Sequence, residues 1–383
     1  MIGEPMHDRR AQGFVMRLLV VATEILLPDV HGGATHVREL VRHLDKRTDV
    51  LLLARTGSQG ERVAAIGRPM RRLPGPLRTV DAGLSMPAAL EVARRFQPDG
   101  IYERCTSYGL GAMLGQALDV PLITMVLDQR YSWLSLLRAR RLIATNTELV
   151  PRAVRHKAVQ VSWGANESLF RPGLEDAARR ARAEHALGNA FVVGYSGSFK
   201  PWHGVLGLVR AAAQLQNEDI VFLLVGDGPQ RSEAESLARS LGVRDRIRFT
   251  GAVDYEAVPG VLAAADVCVA PFEPHLHGPS RKRGFTLDPL KVFEYLAMGK
   301  PTITIRADNI EALFADGEEI TLVRPGRHDD LAAAILGLQR SPTRAATQAL
   351  AGRARVLAHH TWDAHALHLM KLFRDIISER AAA

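Results

Sequence analysis

Cysteine is almost missing from this chain. The two present, Cys105 and Cys268, have no partner cysteines and no metal-ligand spacing, which excludes a disulfide framework and a cysteine-built zinc site and favours a reducing, cytoplasmic compartment. Aromatic residues are scarce too, at 6%; with no recognisable nucleic-acid module, that argues against a nucleic-acid partner. Long apolar runs are lacking. The best, Leu18 to Ala22, is bounded by Arg17 and Glu24 and falls far short of the ~20 residues that span a bilayer, so it reads as a buried strand. The first sixteen residues carry Glu4, Asp8, Arg9 and Arg10 without an apolar signal core, which predicts a flexible tail over 1–16 and argues against export. Acidic charge is in deficit, with 41 Asp and Glu against 49 Lys and Arg. A basic balance favours anionic partners, a phosphate-bearing ligand or a phospholipid surface, although much of the excess lies on polar helix faces such as 179-RRARAEH-185.

What is present is ample apolar material and a regular alternation. At 383 residues with 47% hydrophobic content, the chain exceeds what one core usually serves, so two domains are expected. From Arg17 onward short β-branched runs alternate with helical patterns: MRLLVVATE, DVLLLAR, DGIYERC and PLITMVLD are strands, and THVRELVRHLDK, PAALEVARRFQP and GLGAMLGQALD are the helices between them. The alternation restarts at FVVGYSGS and continues through IVFLLVGDG, IRFTGAV, DVCVAPF and TITIRA. Repeated βα units predict an α/β fold of two doubly wound, Rossmann-like domains. The expected bounds are 17–170 and 171–358, with 359–383 as a C-terminal helix that crosses back to the first domain. A dinucleotide-binding G-x-G-x-x-G would follow the first strand; the loop there is 29-DVHGGATH-36, so a dehydrogenase is disfavoured.

The segment richest in chemistry is 284-GFTLDPLKVFEYLAMGKPTI-303. Asp288 reads as an N-cap and Pro289 as the first helical residue, which leaves backbone N–H groups to receive an anion. Glu294, further along, offers a carboxylate to the vicinal hydroxyls of a sugar. A plain alternative is a surface ion pair of Lys291 with Glu294 at helical spacing. This segment resembles the loop and helix of family 4 glycosyltransferases, retaining enzymes of GT-B fold whose two domains face a cleft and which use a nucleotide-diphosphate sugar as donor.

The resemblance extends from about Arg17 onward and carries several expectations. Gly32 and Gly33 line the cleft near the transferred sugar. In 195-YSGSFKPWHG-204, where the family has an Arg and a Lys for the diphosphate, the matching positions hold Ser198 and His203, with Lys200 as an additional cation. Arg281 joins them from the neighbouring loop. Glu294 matches the ribose-binding carboxylate, whereas the family's other glutamate falls on Thr286; Leu287, Asp288 and Lys291 belong to the same donor site. In the first domain the family's polar position near 125–127 holds Met125, Val126 and Leu127, which leaves Asp128 as the nearest candidate beside the reacting centre, with Lys200 and His203 on the donor side. Glu103 and Arg104 are open to a structural pairing.

Taken together these features imply a retaining hexosyltransferase with a UDP- or GDP-linked donor and no other cofactor. No Asp-x-Asp motif is present, so no metal is expected. The implied acceptor is a small molecule such as a natural product, with a lipid-linked acceptor and peripheral contact at the inner membrane face as the alternative. Two other classes stay open: a nucleotide-sugar epimerase or hydrolase of the same architecture, and a non-catalytic nucleotide-sugar-binding or partner protein.

Overall fold

The computed structural model describes residues 15–29, 32–67, 75–104, 107–128, 131–278, 280–286 and 288–382. The chain forms two units. The first ends at Ser162 and resumes at Asp363; the second is Trp163–Trp362.

The sheet of the first unit contains β1 (Arg17–Ala22), β2 (Asp49–Arg55), β3 (Val63–Gly67), β4 (Gly100–Arg104), β5 (Leu122–Met125), β6 (Arg141–Ala144) and β7 (Ala158–Gln160). Their order is β3-β2-β1-β4-β5-β6-β7, with every neighbour parallel. The connections include α1 (Gly32–Asp45), α2 (Gly75–Phe96), α3 (Leu110–Leu118) and α4 (Trp133–Arg138). Strands covered on both faces must be apolar throughout; accordingly Leu18 to Ala22 are all buried. Two elements depart from expectation. β3 is a short edge strand, VAAIG, whose small residues carry little period. The second helix starts at Gly75 and contains Pro87, which the sequence marks as a helix start. A helical proline removes one backbone donor and crowds the carbonyl four residues earlier, here that of Gly83.

The second unit is built on β8 (Phe191–Ser196), β9 (Ile220–Val225), β10 (Ile247–Gly251), β11 (Val267–Ala270), β12 (Thr302–Ile305) and β13 (Thr321–Val323). Their order is β10-β9-β8-β11-β12-β13, again parallel. Around it lie α5 (Glu175–Glu184), α6 (Val205–Gln214), α7 (Arg231–Ser240), α8 (Val258–Leu262), α9 (Ser280–Arg283), α10 (Leu290–Ala297), α11 (Asp308–Glu311), α12 (His328–Gln339) and α13 (Pro342–His359). Alternate residues of one strand enter different cores: Val192 packs with Leu223 and Val292, whereas Val193 and Tyr195 pack with Phe222 and Leu208. Both faces are therefore covered, as the apolar strands require.

The last helix, α14 (Trp362–Ala381), belongs from Asp363 onward to the first unit. Phe373 occupies the space a Cβ would need at Gly100. Arg47 grips Asp363 through two bonds of 2.7 and 2.8 Å, and Arg141 reaches Glu379 at 3.1 Å.

His365 on this helix is buried, with Nδ1 2.9 Å from the Ser162 carbonyl oxygen; because a carbonyl only accepts, the Nδ1–H donates. Its ring meets His36 edge-on at 6.0 Å. Burial pulls His365 down to about 4 and lowers His36, with Arg104 adding to the effect. The unfolded chain, with ordinary histidine pKa near 6.5, takes up these protons first. Stability is therefore lost as pH falls from about 6.5 towards 4, with His365 contributing on the order of 3 kcal/mol. Glu103, which burial pushes up to about 7, acts with the opposite sign, so the comparison with a variant isolates the histidine. Thermal midpoints of His365→Gln and wild type, measured from pH 8 to 4, should converge towards acid; parallel curves would contradict the assignment.

Candidate functional site

The carboxyl edge of the second sheet is the crevice side of an open parallel fold. At the end of β8 the chain reaches Gly197, at φ +138°, and then a tight 3-10 turn, Pro201–His203. The Ser196 N–H donates to the Tyr295 hydroxyl at 2.7 Å, which ties this loop to α10. His203 Nδ1 donates to the Ser198 carbonyl and lies 3.3 Å from the Ser198 hydroxyl. Trp202 packs against Phe272, nearly parallel at 6.2 Å, and is a packing residue of this turn.

This geometry corrects one expectation. Burial first, then the neighbouring Lys291 and Lys200 charges, drive His203 down to about 2. His203 is thus a neutral imidazole that braces the turn through Ser198, and it supplies no positive charge. Ser198 is likewise engaged in holding His203. Lys200 is half-buried at the head of the turn.

Helix α10 brings a second correction. It begins at Leu290, with Pro289 in the cap position and no side-chain cap bond. Asp288 is not its N-cap: the Asp288 Oδ2 accepts from the Trp163 N–H, a partner 125 residues earlier that no local pattern could reveal. Within α10 every residue from Lys291 to Ala297 is buried. Lys291 and Glu294 are therefore not a surface pair. Glu294 Oε1 accepts from the Tyr255 hydroxyl at 3.2 Å. The Lys291 ammonium lies 4.2 Å from the centre of the Tyr195 ring and 5.4 Å from that of Phe272, without a hydrogen-bond partner among the described residues. Its Nζ would be 2.6 Å from a Cβ at Gly197, so a side chain there would displace the lysine, and the φ of +138° disfavours one in any case. Burial lowers Lys291 to about 7, with the Glu294 charge opposing part of that shift.

Ser198, Lys200, His203, Lys291 and Glu294 are thus gathered around one turn and one helix. Thr286 is half-buried in the preceding loop and Arg281 is exposed on α9. Leu287 lies outside the described residues. A cavity of about 240 Å³ borders the same turn, lined by Pro201, Gly204, Arg210, Glu273, His275 and His328; Ser198, Lys200, His203, Lys291 and Glu294 are not among its lining residues.

The first unit holds the remaining candidates. Gly32 and Gly33 form the first turn of α1, where the sequence suggested loop glycines ahead of a helix near His36. Asp128 is half-buried just beyond β5. Glu103 and Arg104 do not pair. The buried Glu103 accepts from the Gly109 and Gly111 N–H groups at 3.1 and 3.0 Å. Arg104 binds Glu24 at 2.7 Å, and Ser107 reaches the same carboxylate at 3.1 Å. This cluster stands at the carboxyl ends of the paired strands β1 and β4. Sequence spacing missed it, because Glu24 and Arg104 are 80 residues apart.

Residues 190–341 match the family of glycosyl transferases group 1. The chain is 28% identical over 169 residues to an alpha-D-kanosaminyltransferase of Streptomyces kanamyceticus, a match covering 43% of this chain and 41% of the relative. It is 29% identical over 215 residues to a GDP-mannose-dependent alpha-(1-6)-phosphatidylinositol monomannoside mannosyltransferase of Mycolicibacterium smegmatis, covering 55% of this chain and 54% of that protein. It thus spans about half the length of these curated relatives. Among solved structures, Anabaena HepE in complex with UDP superposes at a TM-score of 0.74 with 18% identity, covering 94% of this chain and all of that one. The fold is GT-B, with two parallel-sheet α/β domains. Among the described residues no helix is long and apolar enough to cross a membrane.

Proposed function

We propose that this chain is a retaining glycosyltransferase of family 4, which transfers a sugar from a UDP- or GDP-linked donor to an acceptor hydroxyl. The observation that carries this reading is Glu294, buried on α10 beside the turn after β8 and inside the segment that matches glycosyl transferases group 1. There its carboxylate can accept from two ribose hydroxyls while the diphosphate lies at the turn. In the reaction the bond from the anomeric carbon to the β-phosphate oxygen breaks, and its electrons pass to the phosphate. The acceptor oxygen bonds the same face of that carbon, and its proton goes to the departing phosphate oxygen. Charge developing on the leaving group must be met by cations and oriented N–H groups. Lys200 and Lys291 are the cations at the turn, so the proposed mechanism has no metal-requiring step.

An epimerase or hydrolase would need a proton-abstracting set, and His203, driven down to about 2 by burial and the neighbouring lysines, is too weak a base for one. Relatives named for 2-deoxystreptamine glucosyl transfer and for mannosyl transfer to a phosphatidylinositol monomannoside support two acceptor classes, an aminocyclitol-type small molecule and a lipid-linked polyol. We favour the small molecule. The test is product formation from UDP- and GDP-sugars with panels of both acceptor classes, followed by anomeric assignment. Transfer with retained configuration is expected. Donor conversion without any acceptor would overturn the reading in favour of an epimerase or hydrolase.

A further inference from the structure

The most unusual group in the second unit is the ammonium of Lys291. A buried charge is normally paired or hydrogen-bonded. This one is 9% exposed, has no hydrogen-bond partner among the described residues, and ends against a glycine turn whose next residues are candidate donor contacts. Two aromatic faces, Tyr195 and Phe272, flank it. They attract a cation but satisfy none of its three N–H donors.

Several features point to an anionic occupant. The Gly197 turn provides backbone approach without a side chain, and the ammonium takes the space that any Cβ there would fill. The two positions of this loop where a cation was expected hold Ser198 and a neutral His203. In this loop only Lys200 carries a positive charge, while the adjoining helix presents an amine without a hydrogen-bond partner among the described residues. Resting on the proposed function, we infer that Lys291 is the cation for the donor's diphosphate, delivered from α10 instead of from the loop, and that nucleoside diphosphate binds together with a proton.

The proton count follows from the surroundings. The groups facing Lys291 are Glu294 on its own helix, the Tyr195 hydroxyl kept protonated by burial, the neutral ring of His203, and the uncharged Phe272. Lys200 and His277 act on His203 from beyond it. Glu294 is the one opposite charge among these, and it does not offset the burial that lowers Lys291 to about 7. Near pH 8 the empty site is mainly neutral amine. A dianionic phosphate beside it restores the ammonium, with the proton drawn from solvent.

Calorimetric titration near pH 8, in two buffers of different ionisation enthalpy, tests this on the full chain. UDP, GDP and TDP are the probes, with uridine, guanosine and thymidine as controls. Wild type should take up about one proton per nucleoside diphosphate bound, as expected for a site group restored to its charged form, and none per nucleoside. Lys291→Met should lose about tenfold or more in affinity for the diphosphate, as for a charge-assisted bond, while its nucleoside affinity stays within about twofold. Lys291→Arg, permanently charged, should bind the diphosphate without proton uptake. Unliganded Lys291→Met should melt at or above wild type near pH 8, because it removes a buried amine whose N–H groups have no hydrogen-bond partner among the described residues. No diphosphate binding by wild type would overturn the donor-site reading itself. Wild-type binding with an unchanged affinity in Lys291→Met, a clearly lower melting temperature, or an equal proton count in Lys291→Arg would each overturn the inference and leave that reading standing.

Discussion

Glu294→Ala is expected to raise the dissociation constant for the preferred nucleoside diphosphate roughly a hundredfold. Two charge-assisted hydrogen bonds from ribose hydroxyls to a buried carboxylate contribute about 3 kcal/mol together, after exchange with water is counted. Loss of the carboxylate also removes the nearest opposite charge from Lys291, which lowers that group further and weakens the phosphate side of the site. Affinity for the nucleoside, which lacks phosphate, should therefore fall less than affinity for the diphosphate. Glu294→Gln should fall between, since an amide keeps one acceptor without the charge. The Tyr255 hydroxyl loses its acceptor in the alanine variant, so melting curves must accompany the titration. Binding within threefold of wild type, with an unchanged melting curve, would remove Glu294 from the donor site.

Gly204→Ala is expected to lower the stability of the second unit by about 3–5 kcal/mol, the range of severe backbone and packing errors. Gly204 closes the 3-10 turn and precedes α6, with φ at +77°. An L-residue in that region pays about 1–2 kcal/mol. In addition its Cβ would press into the carbonyl oxygen of Pro271, at the end of β11, and neither backbone can yield without moving a sheet edge. Gly242, after α7, supplies the contrast: its φ is +71°, and nothing lies within 4 Å of its missing Cβ. Gly242→Ala should therefore show the conformational cost alone. At roughly 2–4 °C per kcal/mol for a unit of this size, the two variants should melt about 10 °C and a few degrees below wild type. Equal shifts would mean that the Pro271 contact is relieved by local movement.

The turn that Gly204 closes also carries Ser198, Lys200 and His203, so its rigidity is a functional matter. A residue held in a sparsely populated conformation persists where the surrounding structure over-determines it. At this turn the determinants are the His203 bond to the Ser198 carbonyl and the Ser196 bond to Tyr295. They fix the floor on which Lys291 and a phosphate would meet.

Much of this protein was legible in its residues. Apolar runs such as RLLVVA and IVFLLV, separated by amphipathic stretches, determine two doubly wound sheets, because strand and helix identity follow from periodicities of two and of 3.6 residues within short windows. With the strands parallel, the loops that carry chemistry must lie at one edge of each sheet; among those loops, the resemblance to family 4 glycosyltransferases singled out the turn after β8 and the helix of Glu294. Partnership and burial were decided only by the tertiary structure. Asp288 looked like a cap and holds the Trp163 N–H; Lys291, read as a donor-site residue with a surface ion pair as the plain alternative, is buried without a hydrogen-bond partner among the described residues; His203 looked like a cation and is neutral. The physical reason is common to all three. The charge state of a side chain depends on the solvent it has lost and on neighbours brought from distant parts of the chain, and neither is encoded in local spacing.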